Sequence, residues 1–136
     1  MAIGGQVSGK DSTTGQTIQA AKRATDGRIA ERLAGHFLEQ QGLTILECNY
    51  RCRGGEVDLV CRDRRGLVFV EVRLRRSAGY GGAAASITAG KRERIILAAQ
   101  HYLATHAAGD ADCRFDCVLL DDLSESAIEW LRDAFC

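Results

Sequence analysis

Hydrophobic residues recur along the chain at two spacings, and each spacing predicts one kind of element. After residue 26 they return every three or four positions, as on one face of a helix, at Ala30, Leu33, Ala34, Phe37 and Leu38. Asp26 is placed to cap this helix and Gly42 to end it. A second helix is predicted from a cap at Ser86 or Thr88 to about His106, with one apolar face formed by Ile95, Ala98, Ala99, Tyr102 and Leu103.

Shorter apolar runs predict the strands, at residues 43–50, 56–62, 67–74 and 114–120. Residues 127–131 fit a strand or a helix equally well. The two middle runs are joined by Asp63-Arg64-Arg65-Gly66, whose Asp and Gly are typical of a tight turn, so we expect a β-hairpin there.

The register of this hairpin decides which side chains share a face. A loop of two or four residues places Asp58 across from Glu71 and Glu56 across from Arg73. The opposite face is then wholly apolar and belongs in the core; it carries Val57, Leu59, Cys61, Val68, Val70, Val72 and Leu74. A three-residue loop with a bulge at Gly66 would instead move Asp58 and Glu71 to different faces.

Two carboxylates held opposite each other repel unless a positive group lies between them. A divalent cation would satisfy both acids, and carboxylate oxygens suit Mg²⁺ or Mn²⁺. The alternative is that Asp58 and Glu71 each pair with an arginine such as Arg73. Glu31 lies beside the apolar stripe of the first helix and is a third candidate acid, although a glutamate at that margin is also typical of a surface residue.

Composition restricts the class of protein. The chain is 46% hydrophobic and 26% charged, and no apolar run is long enough to span a bilayer, so we expect a cytoplasmic protein with reduced thiols and no membrane partner. Residues 1–24 are rich in Gly, Ser, Thr and Gln and are expected to form a mobile tail, followed by a single domain over residues 25–136.

Charge is balanced overall, with 18 basic and 18 acidic residues, but it is unevenly distributed. Arginines concentrate between residues 51 and 76, whereas acids are in excess after residue 110. The basic segment could face phosphates, or it could be an ordinary solvated surface. The candidates for nucleic-acid contact are Arg51, Arg53, Arg75, Arg76, Lys91 and Tyr80, whose ring could stack on a base.

The segments Gly-Glu-Val-Asp-Leu-Val (residues 55–60) and Val-Phe-Val-Glu-Val-Arg (residues 68–73) resemble the signature of the PD-(D/E)XK nucleases. From about residue 27 onward the chain is similar to the YraN-like family of uncharacterised proteins, related to Holliday-junction resolvases. Further shared segments are Asn-Tyr-Arg-Cys-Arg-Gly-Gly at 49–55 and Arg-Phe-Asp at 114–116.

The resemblance implies an α/β fold with a mixed central β-sheet flanked by helices, that is, a restriction-endonuclease-like core. In this core Asp58 and Glu71 bind Mg²⁺ or Mn²⁺ and Glu31 assists. It also implies a catalytic role for the residue two beyond Glu71, where a lysine is expected. That residue is Arg73, which is always charged and cannot act as a general base, although it could stabilise charge on a phosphate. Lys91 is a candidate substitute if the start of its helix points into the site.

The function that follows is a metal-dependent endonuclease that acts on DNA, branched or structured DNA included. The alternative is a nucleic-acid-binding or assembly module that keeps the fold without the chemistry, and Arg73 favours it. Whether the partner is DNA or RNA, and whether an exposed edge strand makes a homodimer, stay open. A zinc site at Cys48, Cys52, Cys113 and Cys117 is disfavoured, since both pairs fall in predicted strands.

Overall fold

The computed structural model describes residues 11–75, 87–106, 109, 111–124 and 127–135. Within them the chain forms two helices and five strands. In chain order these are α1 (Asp11–Gln40), β1 (Thr44–Cys52), β2 (Gly55–Arg62), β3 (Leu67–Leu74), α2 (Ala89–Thr105), β4 (Cys113–Leu120) and β5 (Ile128–Phe135). Arg76 and Tyr80, two predicted nucleic-acid contacts, lie outside the described residues, as does the alternative cap Ser86.

The strands form one sheet in the order β1-β2-β3-β4-β5. β3 and β4 pair in parallel, and the other neighbouring strands pair antiparallel. Parallel neighbours require a crossover, and α2 lies between β3 and β4 in the chain. The predicted mixed α/β fold is confirmed, and the ambiguous segment near residue 130 is strand β5.

Both faces of the sheet are covered, one by each helix. On the α1 face, Ala30, Ala34 and Leu38 pack against a buried layer from the sheet, consisting of Leu59, Cys61, Val68, Val70, Val118 and Leu120. On the α2 face, Ile95, Ala98 and Tyr102 pack against Val57, Val60, Leu67, Phe69, Cys117 and Leu119. The strict alternation of side chains between the two faces fails in β2 at Val57. Val57 was predicted to share a face with Leu59, but it packs on the α2 face whereas Leu59 packs on the α1 face.

Helix α1 confirms the predicted apolar stripe but not its predicted start. The helix begins at Asp11, fifteen residues before the predicted cap, and Asp26 is a buried residue within it. Residues 17–24, expected in a mobile tail, are helical and exposed. A helix satisfies its backbone hydrogen bonds internally, so it can extend beyond its packed part without burying more apolar surface. Neither described helix is long and apolar enough to cross a membrane.

The end of α1 and the start of α2 follow the sequence prediction. Gly42 has a φ of 98°, and the Leu43 N–H donates to the Leu38 carbonyl at 3.0 Å, which is the pattern of a glycine-terminated helix. Thr88 caps α2 by accepting a hydrogen bond from the Lys91 N–H at 3.1 Å. This cap places Lys91 in the first turn of the helix.

The hairpin turn has the predicted length and register. Asp63 accepts hydrogen bonds from the backbone N–H groups of Arg65 and Gly66, at 2.8 and 3.1 Å, and closes a four-residue loop. Arg62 therefore pairs with Leu67, and the ladder continues in register to Leu59 and Val70. The three-residue alternative is excluded.

Candidate functional site

The hairpin opens where its acidic residues begin. The described ladder between β2 and β3 ends at Leu59 and Val70, one step before Asp58 and Glu71 would pair. Asp58 Oδ2 instead accepts a hydrogen bond from the Val72 N–H at 2.8 Å. The Asp58 side chain thus takes the place of a main-chain acceptor between the diverging strands. The direct cross-strand pairing predicted for Asp58 with Glu71 is wrong, because the strands separate before that position.

Glu56, the other acid of β2, does not lie across from Arg73 as predicted. It pairs with Arg51 on β1, and its Oε1 lies 3.9 Å from Arg51 Nε and 3.7 Å from Arg94 of α2. The predicted pairing assumed that β2 and β3 stay together to their ends. Because they diverge, Glu56 is drawn toward β1 and α2 and away from the other acids.

Glu71 is the most buried acid of this region, with 2% of its surface exposed. Lys91 Nζ lies 3.0 Å from Glu71 Oε2, and a guanidinium nitrogen of Arg73 lies 3.8 Å from the same oxygen. Oε2 nevertheless accepts no hydrogen bond within the described part of the chain, so the two cations approach it outside the geometry of a hydrogen bond. A buried carboxylate oxygen with an open acceptor position is costly unless a ligand satisfies it.

Glu31 reaches the same region from α1 and is held by Asn49 of β1. The Asn49 side-chain N–H donates to Glu31 Oε1 at 2.9 Å. Asn49 has a φ of 53°, in the left-handed region that asparagine tolerates better than most residues. The sequence analysis gave Asn49 no role in the site. Its one signal was an asparagine inside a strand, where this residue type is depleted.

Electrostatics confirm that the three acids are close to one another. Burial, followed by the charge of the neighbouring Glu71 carboxylate, raises the pKa of Asp58 to about 7, although the Val72 N–H and Lys91 both act to lower it. Burial also raises the pKa of Glu31, against the opposing hydrogen bond from Asn49, and the charge of Asp58 adds to the rise. Glu31, Asp58 and Glu71 therefore form a row of interacting carboxyl groups, and with Lys91 we call them the carboxylate–lysine cluster.

The cluster meets part of the requirement for a metal site. Among the residues that the structure describes, no group of three or more His, Cys, Asp or Glu side chains is arranged to hold a metal ion. Two carboxylates are enough for Mg²⁺, which keeps its other positions for water and substrate. Asp58 and Glu71 would fit such an ion, because burial and the neighbouring Glu71 carboxylate raise the pKa of Asp58 and a cation between the two acids would offset both effects. Lys91 and Arg73 already lie near Glu71 Oε2, so the ion would share that carboxylate with them.

The structure describes four of the predicted nucleic-acid contacts, and they differ in what they contact. Arg51 is 71% exposed and Arg53 is exposed, both near the β1–β2 turn. Arg75 is engaged within the chain, with guanidinium nitrogens 2.6 and 2.8 Å from Asp121 Oδ1 and 3.6 Å from Glu129 Oε1. Of the described candidates, Lys91 alone lies in the carboxylate–lysine cluster.

The four cysteines considered for a zinc site lie on two separate strands. Cys48 and Cys52 are on β1, whereas Cys113 and Cys117 are on β4, three strand spacings or roughly 14 Å away. Cys117 is next to Glu71 across the β3–β4 ladder, and burial, followed by the Glu71 charge, raises the pKa of its thiol to about 12. A thiol with such a pKa stays protonated and is a poor nucleophile.

The fold and the site define a mixed α/β protein with a buried carboxylate–lysine cluster at the open end of a hairpin. Residues 30–120 match the model of the Uncharacterised protein family UPF0102, and the chain belongs to this family. A UPF0102 protein of Dechloromonas aromatica (strain RCB) is 53% identical over 130 residues, 96% of each chain. One from Nitrosomonas europaea is 58% identical over 109 residues, covering 80% of this chain and 92% of that protein. All four residues of the cluster lie within the matched range.

Proposed function

We propose that the protein is a metal-dependent endonuclease of the PD-(D/E)XK type that hydrolyses phosphodiester bonds in DNA, branched or structured DNA included. One observation carries the proposal: a buried, hydrogen-bond-deficient Glu71 carboxylate and an Asp58 carboxyl of raised pKa meet the ammonium group of Lys91 at the end of a hairpin. Perturbed acids beside a lysine are typical of a catalytic centre.

In this proposal Asp58 and Glu71 hold Mg²⁺ or Mn²⁺. The bound ion would polarise the phosphate and lower the pKa of a water molecule. The Val72 N–H fixes the orientation of Asp58, and Asn49 fixes that of Glu31, so the acids are set in place before any ligand arrives. Glu31 receives or orients the attacking water at the outer end of the row.

Lys91 supplies the lysine that β3 lacks. Its ammonium group comes from the first turn of α2 and lies 3.0 Å from Glu71. Helix α2 therefore places beside the acids the lysine side chain that is absent at position 73. With its ammonium group paired to Glu71, Lys91 already carries its proton and cannot accept another, so we assign it to orient the attacking water and to stabilise negative charge. The proton of the water passes to the Glu31 carboxylate, and Arg73 stabilises negative charge on the phosphate.

A nucleic-acid-binding module without catalysis is the second candidate, and the same contact favours it. Lys91 already neutralises part of the charge of Glu71, as a metal ion would, and Arg73 adds a second cation at 3.8 Å. In that case the two cations stand in for the ion, and the acids have a structural role. The two functions differ in what removal of Lys91 does to metal binding and to cleavage.

The test measures cleavage of branched, flapped and single-stranded DNA with Mg²⁺ or Mn²⁺. The variants are Asp58→Asn, Glu71→Gln, Lys91→Met and Arg73→Lys. We expect Asp58→Asn and Lys91→Met each to lower the rate by a factor on the order of 10² or more. The matched controls are Glu47→Gln and Arg92→Met, which remove exposed charges from the same layers of the fold and are expected to keep the wild-type rate.

Cleavage that is unchanged by Asp58→Asn would overturn the site. Absence of cleavage by the wild type, followed by a gain in Arg73→Lys, would support the module without chemistry. A calorimetric titration with Mn²⁺ separates the two further, because Lys91→Met should bind the ion at least as tightly as the wild type if the lysine only competes for Glu71.

A further inference from the structure

A second charged feature lies at the turn end of the hairpin, away from the carboxylate–lysine cluster. A cleft of about 700 Å³ opens there between the end of α1, the β2–β3 turn and the end of β5. Its walls carry four arginines and two acids: Arg64, Arg65, Arg114, Arg132, Asp63 and Asp133. We call it the arginine cleft, lined by residues 41–43, 63–65, 114, 130, 132 and 133.

The inner charges of the arginine cleft are already matched. Arg114 donates to Asp63 Oδ2 at 2.7 Å and to the fully buried Asp116 at 3.0 and 3.2 Å. The other oxygen of Asp63 accepts the two N–H groups of the hairpin turn. Asp63 and Asp116 thus have their hydrogen bonds from Arg114, the turn and β5, and neither is left to pair with the outer arginines.

Three arginines on the rim keep their charge without a carboxylate partner. Within the described part of the chain, Arg64, Arg65 and Arg132 make no ion pair, and all three are exposed. The Arg132 guanidinium lies 4.1 Å from the centre of the Trp130 ring. Trp130 is itself fixed, because its indole N–H donates to Asp116 Oδ2 at 2.9 Å and its ring meets Phe37 edge-on. Arg132 is therefore held in place by a cation–π contact that leaves its donors open.

We propose that the arginine cleft binds the phosphate groups of a nucleic-acid strand, as a contact separate from the carboxylate–lysine cluster. Guanidinium donors match phosphate oxygens in geometry and charge. Arg132 covers the accessible Trp130 ring, so the cleft engages the strand through its phosphates and not by stacking its bases. The identification of the partner as nucleic acid rests on the proposed function. The capacity of the cleft to bind phosphate rests only on its exposed arginines.

The position of the cleft defines what a bound strand must span. Leu67 borders the turn and Glu71 lies four residues further along β3, roughly 13 Å away. Each strand of a duplex advances ~3.4 Å along the helix axis per phosphate, so a duplex strand that touches both places spans about four phosphates. The cleft would thereby hold a nucleic acid that extends past the cluster.

Trp130 makes the cleft directly observable, because it is the only tryptophan of the 136 residues. The experiment titrates the full-length protein with a single-stranded DNA oligonucleotide of about 20 nucleotides and follows tryptophan fluorescence at several salt concentrations. Parallel titrations use inorganic phosphate and polyglutamate. The variants are Arg64→Ser/Arg65→Ser and the matched control Arg23→Ser/Arg28→Ser on the exposed side of α1.

We expect the oligonucleotide to give a saturable fluorescence change that the Arg64→Ser/Arg65→Ser variant weakens about tenfold. In that variant the slope of log affinity against log salt should fall by about 1.4, the value for two lost phosphate contacts on a single strand. The Arg23→Ser/Arg28→Ser control should titrate as the wild type does. If the protein cleaves no DNA but this titration shows saturable binding of the oligonucleotide, the nuclease proposal is wrong and the proposal for the arginine cleft is supported.

Three results would contradict the proposal that the arginine cleft binds a nucleic-acid strand. The first is that the oligonucleotide causes no fluorescence change, and the second is that the wild type and a folded Arg64→Ser/Arg65→Ser variant show the same change. The third is that polyglutamate binds as tightly as the oligonucleotide. Binding of inorganic phosphate without binding of the oligonucleotide would also overturn the assignment to a strand. Circular dichroism and thermal unfolding establish that each variant is folded.

Discussion

Asn49 is the residue at which backbone and side chain are both adapted to the site. It lies in β1 between Cys48 and Tyr50, which pair with Leu59 and Val57, so it faces the position of Asp58. Its left-handed backbone turns the amide toward Glu31, where it donates the 2.9 Å hydrogen bond. Strained backbone next to candidate catalytic groups is common, because the surrounding structure holds it there.

Two substitutions at Asn49 separate these two contributions. Asn49→Gly keeps the left-handed backbone and removes the amide, whereas Asn49→Ala removes the amide and adds a penalty of about 1 kcal/mol for that backbone. We expect both variants to lose cleavage activity and Asn49→Ala to unfold at lower urea. Equal urea midpoints for the two variants would show that the backbone conformation at residue 49 is not left-handed.

At the scale of elements, Gly55 sets the distance between β2 and α2. A Cβ added at Gly55 would lie 2.6 Å from the Arg94 carbonyl oxygen and 2.9 Å from the Ala98 nitrogen, both in the backbone of α2. Backbone atoms cannot move aside as a side chain can, so the helix itself would have to shift. Lys91 would move with the helix, away from Glu71.

Gly55→Ala is therefore expected to destabilise the protein by roughly 1–3 kcal/mol and to lower the cleavage rate. The matched control is Gly35→Ala in α1, where nothing lies within 4 Å of the added Cβ. That variant should be neutral or more stable by up to about 1 kcal/mol, since alanine favours helix more than glycine does. Urea unfolding of both variants measures the difference, and equal midpoints would contradict the close contact.

Local patterns predicted most of the elements and not their tertiary relations. The apolar stripe of α1 and the four-residue turn at Asp63 were sufficient to predict a helix face and the hairpin register. The divergence of β2 and β3 was not predictable, because pairing rules assume that a ladder continues. The distance of Lys91 from Glu71 depends on how α2 packs on Gly55, which no local pattern of the sequence contains.

For the molecule as a whole, the carboxylate–lysine cluster predicts that stability depends on pH. Burial, followed by the Glu71 charge, raises the pKa of Asp58 from its ordinary 3.8 to about 7. Between these two values the folded protein binds a proton that the unfolded chain has released. Protonation of Asp58 therefore favours the folded state fully at a pH below the ordinary pKa. This stabilisation is lost as the pH rises toward 7, and the free energy of unfolding has no further dependence on Asp58 above that pH.

Replacing Asp58 by Asn should remove this dependence while keeping an acceptor for the Val72 N–H. We expect the wild type to have a higher urea midpoint at about pH 5 than at about pH 8, and Asp58→Asn to have a smaller difference and to be the more stable protein at pH 8. The control Glu47→Gln, at an exposed position, should keep the wild-type difference. The same difference in Asp58→Asn would assign the pH dependence to other groups.

The cluster also joins two halves of the chain that meet at the hairpin turn. Glu31 and Asp58 precede the turn, whereas Glu71 and Lys91 follow it, and β3 reaches its parallel neighbour β4 only by way of α2. Parallel pairing across a long connection forms late in folding, since its loop entropy must be overcome first. A nascent chain that ends before α2 carries the acids without the lysine. The proposed hydrolysis of DNA would thus begin only with the completed fold.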